Sequence, residues 1–386
     1  MQVRLSTSDD DPAIAAYVAA HPAATAFHRL EWGRAVASGC GQRAHVLVAE
    51  SPCVLGQSDS PLGLPGGVRG GVLSAAEKEA RCARSHPQPL PEVREGSNVA
   101  LVIGILPLTE LHSPLFGRAL ASSGFAVGGG ILADDDSTGE ALAAEAFAMA
   151  GRLSCPSVEL RGGYLPAGWD RDETTYLGFD RDLAADDEAE LLAIPRKQRA
   201  EVRKALGFDL TTDLNDRDAH YHVYATSVRN LGTPVFPRGL FAAVLDAFGD
   251  DADILTVRKD GVPLASVLSL YHRGVVMPYW GGGTANARTW RANDMMYFAL
   301  MRHARHRGCT AFDFGRSKAA TGAAAFKRNW GFEGEPLVYA SKTIGGAAKR
   351  SVNPLDPKYS LQVKLWSQLP LAVANRLGPM IARGLG

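Results

Sequence analysis

Two stretches of this 386-residue chain repeat one order of segments, and this repeat constrains the fold more than any other feature. Residues 125–161 and 276–314 each run from an apolar strand through a Gly-Gly-Gly triplet into a polar loop. A helix rich in Ala, Met and Leu follows, and then a cysteine and a second short strand. A β-loop-α-β order that returns at this spacing is better explained by two copies of one unit than by chance. We therefore expect two similar αβ halves.

Segments typical of β-hairpins precede each copy. The predicted strands are 45–50 and 99–107 in the first half, and 254–259, 262–270 and 275–280 in the second. Asp260-Gly261 and Arg273-Gly274 separate the second-half strands and favour tight turns. Residues 51–98 are rich in Gly, Pro, Ser and charge, a composition that a packed core cannot use. We interpret them as a flexible insertion in a hairpin loop.

One segment of the second half joins the end of a strand to a group of cations. After the predicted strand 311–314, the chain turns at Gly315 and enters a helix that ends at Gly331. The polar residues of this segment that we expect to bind substrate are Arg316, Ser317, Lys327, Arg328 and Asn329. A cationic loop between a strand and a helix is a place where backbone N–H groups and side chains hold an anion. The alternative is a βα turn with solvated charges, or ion pairs with Asp313 or Glu333.

A second cluster of cations lies between the halves. Pro195 is expected to begin a helix over residues 193–206, and helical spacing then places Arg196, Arg199 and Arg203 on one side. Arg199 and Arg203 are candidate contacts for a phosphorylated substrate or for the acceptor end of an RNA. A solvated helix face is the alternative interpretation.

Composition excludes several classes of protein. Lys plus Arg equals Asp plus Glu, at 41 each, which argues against a dedicated nucleic-acid coat. The five cysteines are scattered and never paired as C-x-x-C, and His303 and His306 lack a third ligand, so we expect no metal site and treat both histidines as surface residues. Acidic residues near the N-terminus and the lack of a long apolar stretch predict a cytoplasmic protein.

The last segment, 346–386, is predicted to be a linker followed by an amphipathic tail. From residue 360 onward, apolar side chains alternate with Lys364, Arg376 and Arg383, and Pro370 and Pro379 are expected to break the tail into two short helices. The tail could contact the inner face of a membrane peripherally. The alternative is that it covers a groove on its own domain.

Four motifs resemble those of the FemAB family of peptidyltransferase-like proteins, whose fold is a tandem of GNAT-type acyltransferase units. They are YWGGGT at 279–284, RANDMMY at 291–297, DFGRSK at 313–318 and FKRNWGFE at 326–333. Within that family, the chain is similar to the branch associated with PEP-CTERM and exosortase systems in exopolysaccharide-producing bacteria.

This resemblance implies an α+β fold of two tandem GNAT-like domains, each with a mixed, mostly antiparallel sheet flanked by helices. The expected domains are 1–175 and 176–345, with the linker and tail at 346–386. It implies acyl or aminoacyl transfer that forms an amide or ester on a cell-envelope or exopolysaccharide-related acceptor. The donor would be aminoacyl-tRNA or another activated acyl compound, with no bound cofactor. An acetyl-CoA-dependent N-acetyltransferase and a non-catalytic partner of a polysaccharide assembly or export system stay as alternatives.

Acetyl-CoA is the less favoured donor because the chain departs from the GNAT pattern. Ordinary GNAT acetyltransferases hold the coenzyme A pyrophosphate in a glycine-containing loop before the central helix. Residues 289–294, TWRAND, contain no glycine there, and Cβ atoms obstruct close approach of the backbone to a phosphate. In the first half, Asp134, Asp135 and Asp136 would repel an anion. We expect Asn293 to be the N-cap of the following helix.

Acyl transfer requires an oriented carbonyl, a stabilised oxyanion and the movement of one proton. Asp313 is a candidate base with a raised pKa, or else an anchor for Arg316. Tyr279, near the end of the central strand, is a candidate proton donor, and Lys318 is the third candidate catalytic residue. Trp280 is a candidate for stacking on a sugar or base, with core packing as its alternative.

Overall fold

The computed structural model of the chain describes residues 1–53, 99–113, 116–346 and 360–386. Helices pack on two main sheets and one small sheet, which confirms the expected α+β class. The strands are β1 (Gln2–Leu5), β2 (Arg43–Cys53), β3 (Val99–Ser113), β4 (Gly117–Ser122), β5 (Leu132–Ala133), β6 (Ser157–Arg161), β7 (Asp170–Asp172), β8 (Tyr176–Gly178), β9 (Asp180–Asp182), β10 (Thr211–Leu214), β11 (Ala252–Lys259), β12 (Val262–His272), β13 (Val275–Gly283), β14 (Ala311–Asp313), β15 (Ser317–Lys318), β16 (Glu335–Pro336) and β17 (Tyr339–Thr343). The α-helices are α1 (Asp11–Ala20), α2 (Leu30–Cys40), α3 (Asp136–Arg152), α4 (Asp187–Ala193), α5 (Arg196–Leu206), α6 (Arg217–Asn230), α7 (Arg238–Phe248), α8 (Ala292–His306), α9 (Gly322–Asn329), α10 (Ser360–Gln368) and α11 (Leu371–Ala382).

The first main sheet has the strand order β1-β2-β3-β4-β6-β17-β7, and β5 pairs with β3. Its pairs are antiparallel except for β4 and β6, which run parallel with Leu120 opposite Val158. Side chains alternate between its faces, as the pleat requires. Leu47 packs in the cluster that α3 covers, and the next residue, Val48, packs in the cluster that α1 covers.

The second main sheet has the order β10-β11-β12-β13-β14-β9 and repeats this plan. Leu255 faces the cluster that contains α8, and Ile254 faces the cluster that contains α6 and α7. Strands β13 and β14 are the parallel pair. They pair only at their first residues, where Val275 lies opposite Ala311 and Val276 opposite Phe312. Beyond these two pairs the strands diverge.

Strand pairing links the two halves. Strand β17 follows the second half in sequence but lies in the first sheet, between β6 and β7. Strand β9, near the start of the second half, pairs with β14. The division between residues 175 and 176 stays a prediction, and residues 339–343 belong structurally to the sheet of the first half.

The predicted strand at 125–127 is wrong. The strand of the first half ends at Ser122, and residues 123–130 form a loop outside the sheet. Ser123 and Phe125 both have positive φ, which turns the chain away from the sheet, and Ser123 Oγ donates to the carbonyls of Phe27 and Gly129. In the second half the Gly-Gly-Gly triplet does end a strand, β13, as expected.

The predicted insertion begins later than expected. Residues 51–53 continue β2 and pair with residues 99–101, and residues 54–98 lie outside the described part of the chain. Residues 347–359 of the predicted linker also lie outside it.

The tail forms two helices, α10 and α11, which both pack against α6. Pro370 is the N-cap of α11, whereas Pro379 lies inside that helix, so the prediction that Pro379 breaks it is wrong. The helix continues past Pro379 for three more residues, to Ala382. The carbonyl of Pro379 still accepts from the N–H of Arg383 at 3.2 Å. None of the described helices is both long and apolar enough to span a bilayer.

Candidate functional site

Charged and phenolic side chains gather where β13 and β14 diverge. The chain leaves β14 at Asp313 and turns at Gly315, whose φ of 67° lies in the left-handed region that favours glycine. Two remote strands, β8 and β17, bring tyrosines to the same place. We call this group the cationic cluster, and it consists of Tyr176, Tyr279, Asp313, Arg316, Lys318, Lys327 and Tyr339.

Tyrosine side chains surround Arg316 in this cluster. Its guanidinium lies 4.6 Å from the ring centre of Tyr176, and Nη1 donates to the hydroxyl of Tyr339 at 3.0 Å. That hydroxyl donates to the carbonyl of Val127 at 2.7 Å. Within the described residues, no carboxylate forms an ion pair with Arg316. A guanidinium carries five N–H donors, and the hydrogen bond described for Arg316 uses one of them, which leaves donors for an anionic or carbonyl ligand.

Lys327 supports the turn that carries Arg316. Helix α9 brings its buried ammonium to the carbonyls of Gly315, at 3.0 Å, and Arg316, at 2.9 Å. Burial lowers the pKa of Lys327 to about 8, although the charge of Asp313 opposes that shift. The alternative that Lys327 or Arg316 pairs directly with Asp313 or Glu333 is not seen among the described ion pairs.

Asp313 ends β14, and its Oδ1 accepts from the backbone N–H of Gly315 at 2.7 Å. Burial raises the pKa of this carboxyl to about 6, and the neighbouring charge of Asp180 adds to the shift, while the Gly315 hydrogen bond and Lys327 oppose it. A carboxyl with a pKa near 6 is largely deprotonated at neutral pH and still a usable base.

Tyr279 and Trp280 lie side by side in β13 but have different surroundings. The Tyr279 hydroxyl donates to the carbonyl of Phe125, in the loop of the first half, and burial raises the pKa of this phenol well above its usual value. Trp280 is 4% exposed and packs on Trp32 and Phe241 in the core. A role for Trp280 in stacking on substrate would therefore require the core to open.

The other predicted residues of this segment divide into two groups. Ser317 is buried and Lys318 is half-buried, because β15 pairs with β8. The Lys318 ammonium lies 6.0 Å from the Tyr176 ring centre, and burial and then Arg316 lower its pKa. Arg328 and Asn329 are exposed on the last turn of α9.

The predicted contacts on α5 lie apart from the cluster. Arg199 donates to the carbonyls of Ile194, at 3.1 Å, and Leu192, at 3.3 Å, so it caps the end of α4. Arg203 is exposed. Both line a shallow surface depression together with Arg196 and Lys204, and no described contact joins them to Arg316.

Sequence reasoning missed Tyr176 and Tyr339. Neither belongs to a motif, and each reaches the cluster only through strand pairing over a long sequence distance. It also placed His303 on the surface, which is wrong. His303 is half-buried, with Nε2 at 2.7 Å from Oδ2 of the buried Asp253, while His306 is exposed as expected.

The start of α8 differs from the expectation in one respect. Arg291, with a φ of 54°, occupies the N-cap position, and Asn293 is the second residue of the helix, so Asn293 is not the cap. The Arg291 side chain pairs with Glu201. Asp294 lies in the first turn, accepts from Gln198 at 2.6 Å, and has a pKa that burial raises. A carboxyl at a helix N-terminus competes with a bound phosphate for the same positive end of the dipole.

Comparison with known proteins agrees with this architecture. Residues 194–328 match a family model described as an acetyltransferase (GNAT) domain. A crystal structure of FemX shares 14% identity over 88% of this chain and 97% of its own, with a TM-score of 0.59. A tandem GNAT protein from the clavulanic acid biosynthesis pathway shares 12% identity over 90% of this chain and 99% of its own, with a TM-score of 0.51. A search of curated proteins found no match. At these identities the likeness concerns the fold, and the chain folds as two tandem GNAT-like domains.

Proposed function

We propose that the protein is a FemAB-like acyl or aminoacyl transferase that forms an amide or ester on a cell-envelope or exopolysaccharide-related acceptor. The observation that carries this proposal is Arg316, a guanidinium without a carboxylate partner among the described residues, held beside Asp313 and Tyr279 where β13 and β14 diverge. The FemAB-like motifs and the tandem GNAT-like fold support it. Aminoacyl-tRNA is the donor that the FemAB resemblance favours.

The cluster suits the chemistry of acyl transfer. The acceptor amine or hydroxyl attacks the donor carbonyl, and a new C–N or C–O bond forms as the donor's ester bond to the ribose oxygen breaks. Arg316 would donate hydrogen bonds to the oxyanion that develops on the carbonyl. Asp313, deprotonated above about pH 6, would take the proton that the acceptor loses and return it to the leaving ribose oxygen. Lys318 would add positive charge near the donor.

A second candidate is an acetyl-CoA-dependent N-acetyltransferase, which the GNAT family match at 194–328 favours. The residues at the start of α8 speak against it. The loop before the helix has no glycine, Arg291 is engaged with Glu201, and Asp294 occupies the first turn. Those features leave little capacity for a pyrophosphate at this helix end.

A transfer assay with the purified full-length protein tests the proposal. Aminoacyl-tRNA with labelled amino acids, and labelled acetyl-CoA in a parallel reaction, would be incubated with lipid-linked and polysaccharide precursors from envelope extracts. We expect label to pass from tRNA to an acceptor, and the rate to fall about 10- to 100-fold in Arg316→Gln because charge-assisted hydrogen bonds to the transition state are lost. Arg217→Gln supplies the matched control, because Arg217 is exposed and lies outside the cationic cluster, and this variant should keep the wild-type rate.

Two results would contradict the proposal. Transfer from acetyl-CoA alone would assign the second candidate function. Absence of transfer from either donor, with a folded protein, would favour a non-catalytic partner of a polysaccharide assembly or export system.

A place of action at the inner face of the membrane also belongs to this proposal, since the acceptors of this class are membrane-associated precursors.

A further inference from the structure

Helix α11 buries three small residues and exposes three large apolar side chains. In α11 the inward residues Ala374, Gly378 and Ala382 recur every four positions and are buried. Gly378 lies so close to Val235 that an added Cβ would approach its backbone nitrogen to 3.0 Å. Packing against the domain therefore uses these small residues and Leu371, and it does not account for the exposed large apolar side chains of α11.

The large apolar residues form stripes on the solvent side of both helices. Leu361 and Leu365 are spaced by one helical turn in α10, and their exposures are 65% and 58%. Val373, Leu377 and Met380 have the same helical spacing in α11, and Met380 is 63% exposed. Leu231, which directly follows α6, is also exposed. It lies beside α10, since the adjacent Gly232 contacts Val363 of that helix. Large apolar residues exposed together at this density mark an interaction surface.

Only positive charge accompanies these stripes. Residues 360–386 contain no Asp or Glu, and their three basic side chains, Lys364, Arg376 and Arg383, are all exposed. Helical spacing places Lys364 along one edge of the α10 stripe. It also places Arg376 and Arg383 together along one edge of the α11 stripe. The apolar side chains and the adjacent cations match the two regions of an anionic lipid surface, the acyl boundary and the headgroups.

We infer that the outward face of α10 and α11 docks the protein on an anionic membrane, with the apolar stripes at the acyl boundary and the basic side chains at the lipid phosphates. Charge favours this partner over a second copy of the chain. A two-fold interface through the same face would bring its cations toward their symmetry mates with no carboxylate in the two helices to offset them.

The residues that follow α11 link the outward face of the two helices to the loop beside the cationic cluster. Gly384 packs against Ser113, and Gly386 packs against the ring of Phe125. The carbonyl of Phe125 accepts the hydrogen bond of Tyr279. This inference deepens the proposed function by placing its site beside a lipid surface. Lipid binding requires neither donor nor acceptor, so the two proposals can fail separately.

Vesicle sedimentation of the full-length protein tests the inference without an activity assay. The probes are phosphatidylcholine vesicles and mixed phosphatidylglycerol–phosphatidylcholine vesicles. We expect binding to the mixed vesicles that weakens as salt rises. The double variant Leu365→Gln with Leu377→Gln should bind at least about tenfold more weakly, because it removes buried apolar area from the lipid contact. Both side chains are exposed, so the variant should keep the wild-type melting temperature.

The chain offers a matched control elsewhere on its surface. Leu192 and Leu214 are exposed to similar extents, 57% and 47%, and lie outside the tail. Leu192→Gln with Leu214→Gln should bind the vesicles as the wild type does. Equal binding by the two double variants, or no binding of the wild type to mixed vesicles, would overturn the inference. A wild-type dimer that the tail variant dissociates would assign the face to a second copy.

Discussion

Arg316 shows how much of the site a single residue's sequence context can predict. Its position after a buried strand, with Lys318 and Lys327 nearby, predicted a cation held at a strand–helix turn. The structure adds what surrounds it: two tyrosines, and no ion-paired carboxylate within the described residues. Those tyrosines come from β8 and β17, and no local pattern indicates that either strand would pair near residue 316. The position of this cation at the turn was therefore predictable, and its surroundings were not.

Asp313 should make the stability of the protein depend on pH. Its folded-state pKa of about 6 exceeds the ordinary 3.8, so the folded chain holds a proton that the unfolded chain has already lost. That contribution to stability is present in full below the ordinary pKa and is lost as pH rises through about 6. Asp313→Asn keeps a side-chain oxygen that accepts from the N–H of Gly315, and it removes the group that titrates.

We therefore expect Asp313→Asn to gain stability over the wild type as pH rises from about 5 to 7.5, by about 1–3 kcal/mol in the free energy of unfolding. Denaturant unfolding of both proteins at several pH values measures it. If the two stability curves run parallel, Asp313 does not titrate in this range.

At the scale of elements, helix α9 and the turn at 315–316 act as one unit. Lys327 donates to both carbonyls of the turn, so it holds the backbone that carries Arg316. The sequence indicated that Lys327 was a substrate contact, because its charge was visible and its backbone acceptors were not. The structure supports a positioning role, in which Lys327 acts on a ligand through Arg316.

Lys327→Met should therefore lower both stability and binding. The substitution keeps most of the apolar part of the side chain but leaves two carbonyls without their donor, so we expect a loss of about 1–3 kcal/mol in the free energy of unfolding. The neighbouring Arg328→Met, on the exposed face, should change it by less than about 0.5 kcal/mol. Thermal and denaturant unfolding of the pair measure the difference. Equal stabilities would mean that the turn does not depend on Lys327.

The elements themselves were predicted unevenly. Hairpin strands of the second half matched their predicted positions because alternating apolar residues and Asp-Gly or Arg-Gly turns specify them locally. The strand prediction for residues 125–127 was wrong because they are as apolar as a strand. The left-handed conformations of Ser123 and Phe125 turn the chain away from the sheet. Such conformations are rare for these residue types, so no composition rule predicts them.

At the scale of the whole molecule, the repeat in the sequence predicted two similar halves but not the strand that crosses between them. Strand β17 follows the second half in sequence and completes the first sheet, whereas β9 stays in the sheet of its own half. Pairing partners of short strands depend on tertiary packing rather than on local sequence. The two halves consequently share a sheet strand as well as the contact between Tyr279 and Phe125.

This shared strand predicts cooperative unfolding of the two halves. The first sheet is incomplete without β17, which follows the second half in sequence, so differential scanning calorimetry of the full chain should show one transition whose calorimetric and van't Hoff enthalpies agree. Two separated transitions would show that the first half is stable without β17.

We propose that the cationic cluster, rather than the start of α8, binds the acyl donor. Calorimetric titration of wild type, Arg316→Gln and Arg217→Gln with aminoacyl-tRNA and with acetyl-CoA tests this most directly. We expect saturable binding of aminoacyl-tRNA that weakens about tenfold or more in Arg316→Gln and is unchanged in Arg217→Gln, with melting temperatures within a few degrees of one another. Tight binding of acetyl-CoA by all three proteins would contradict it.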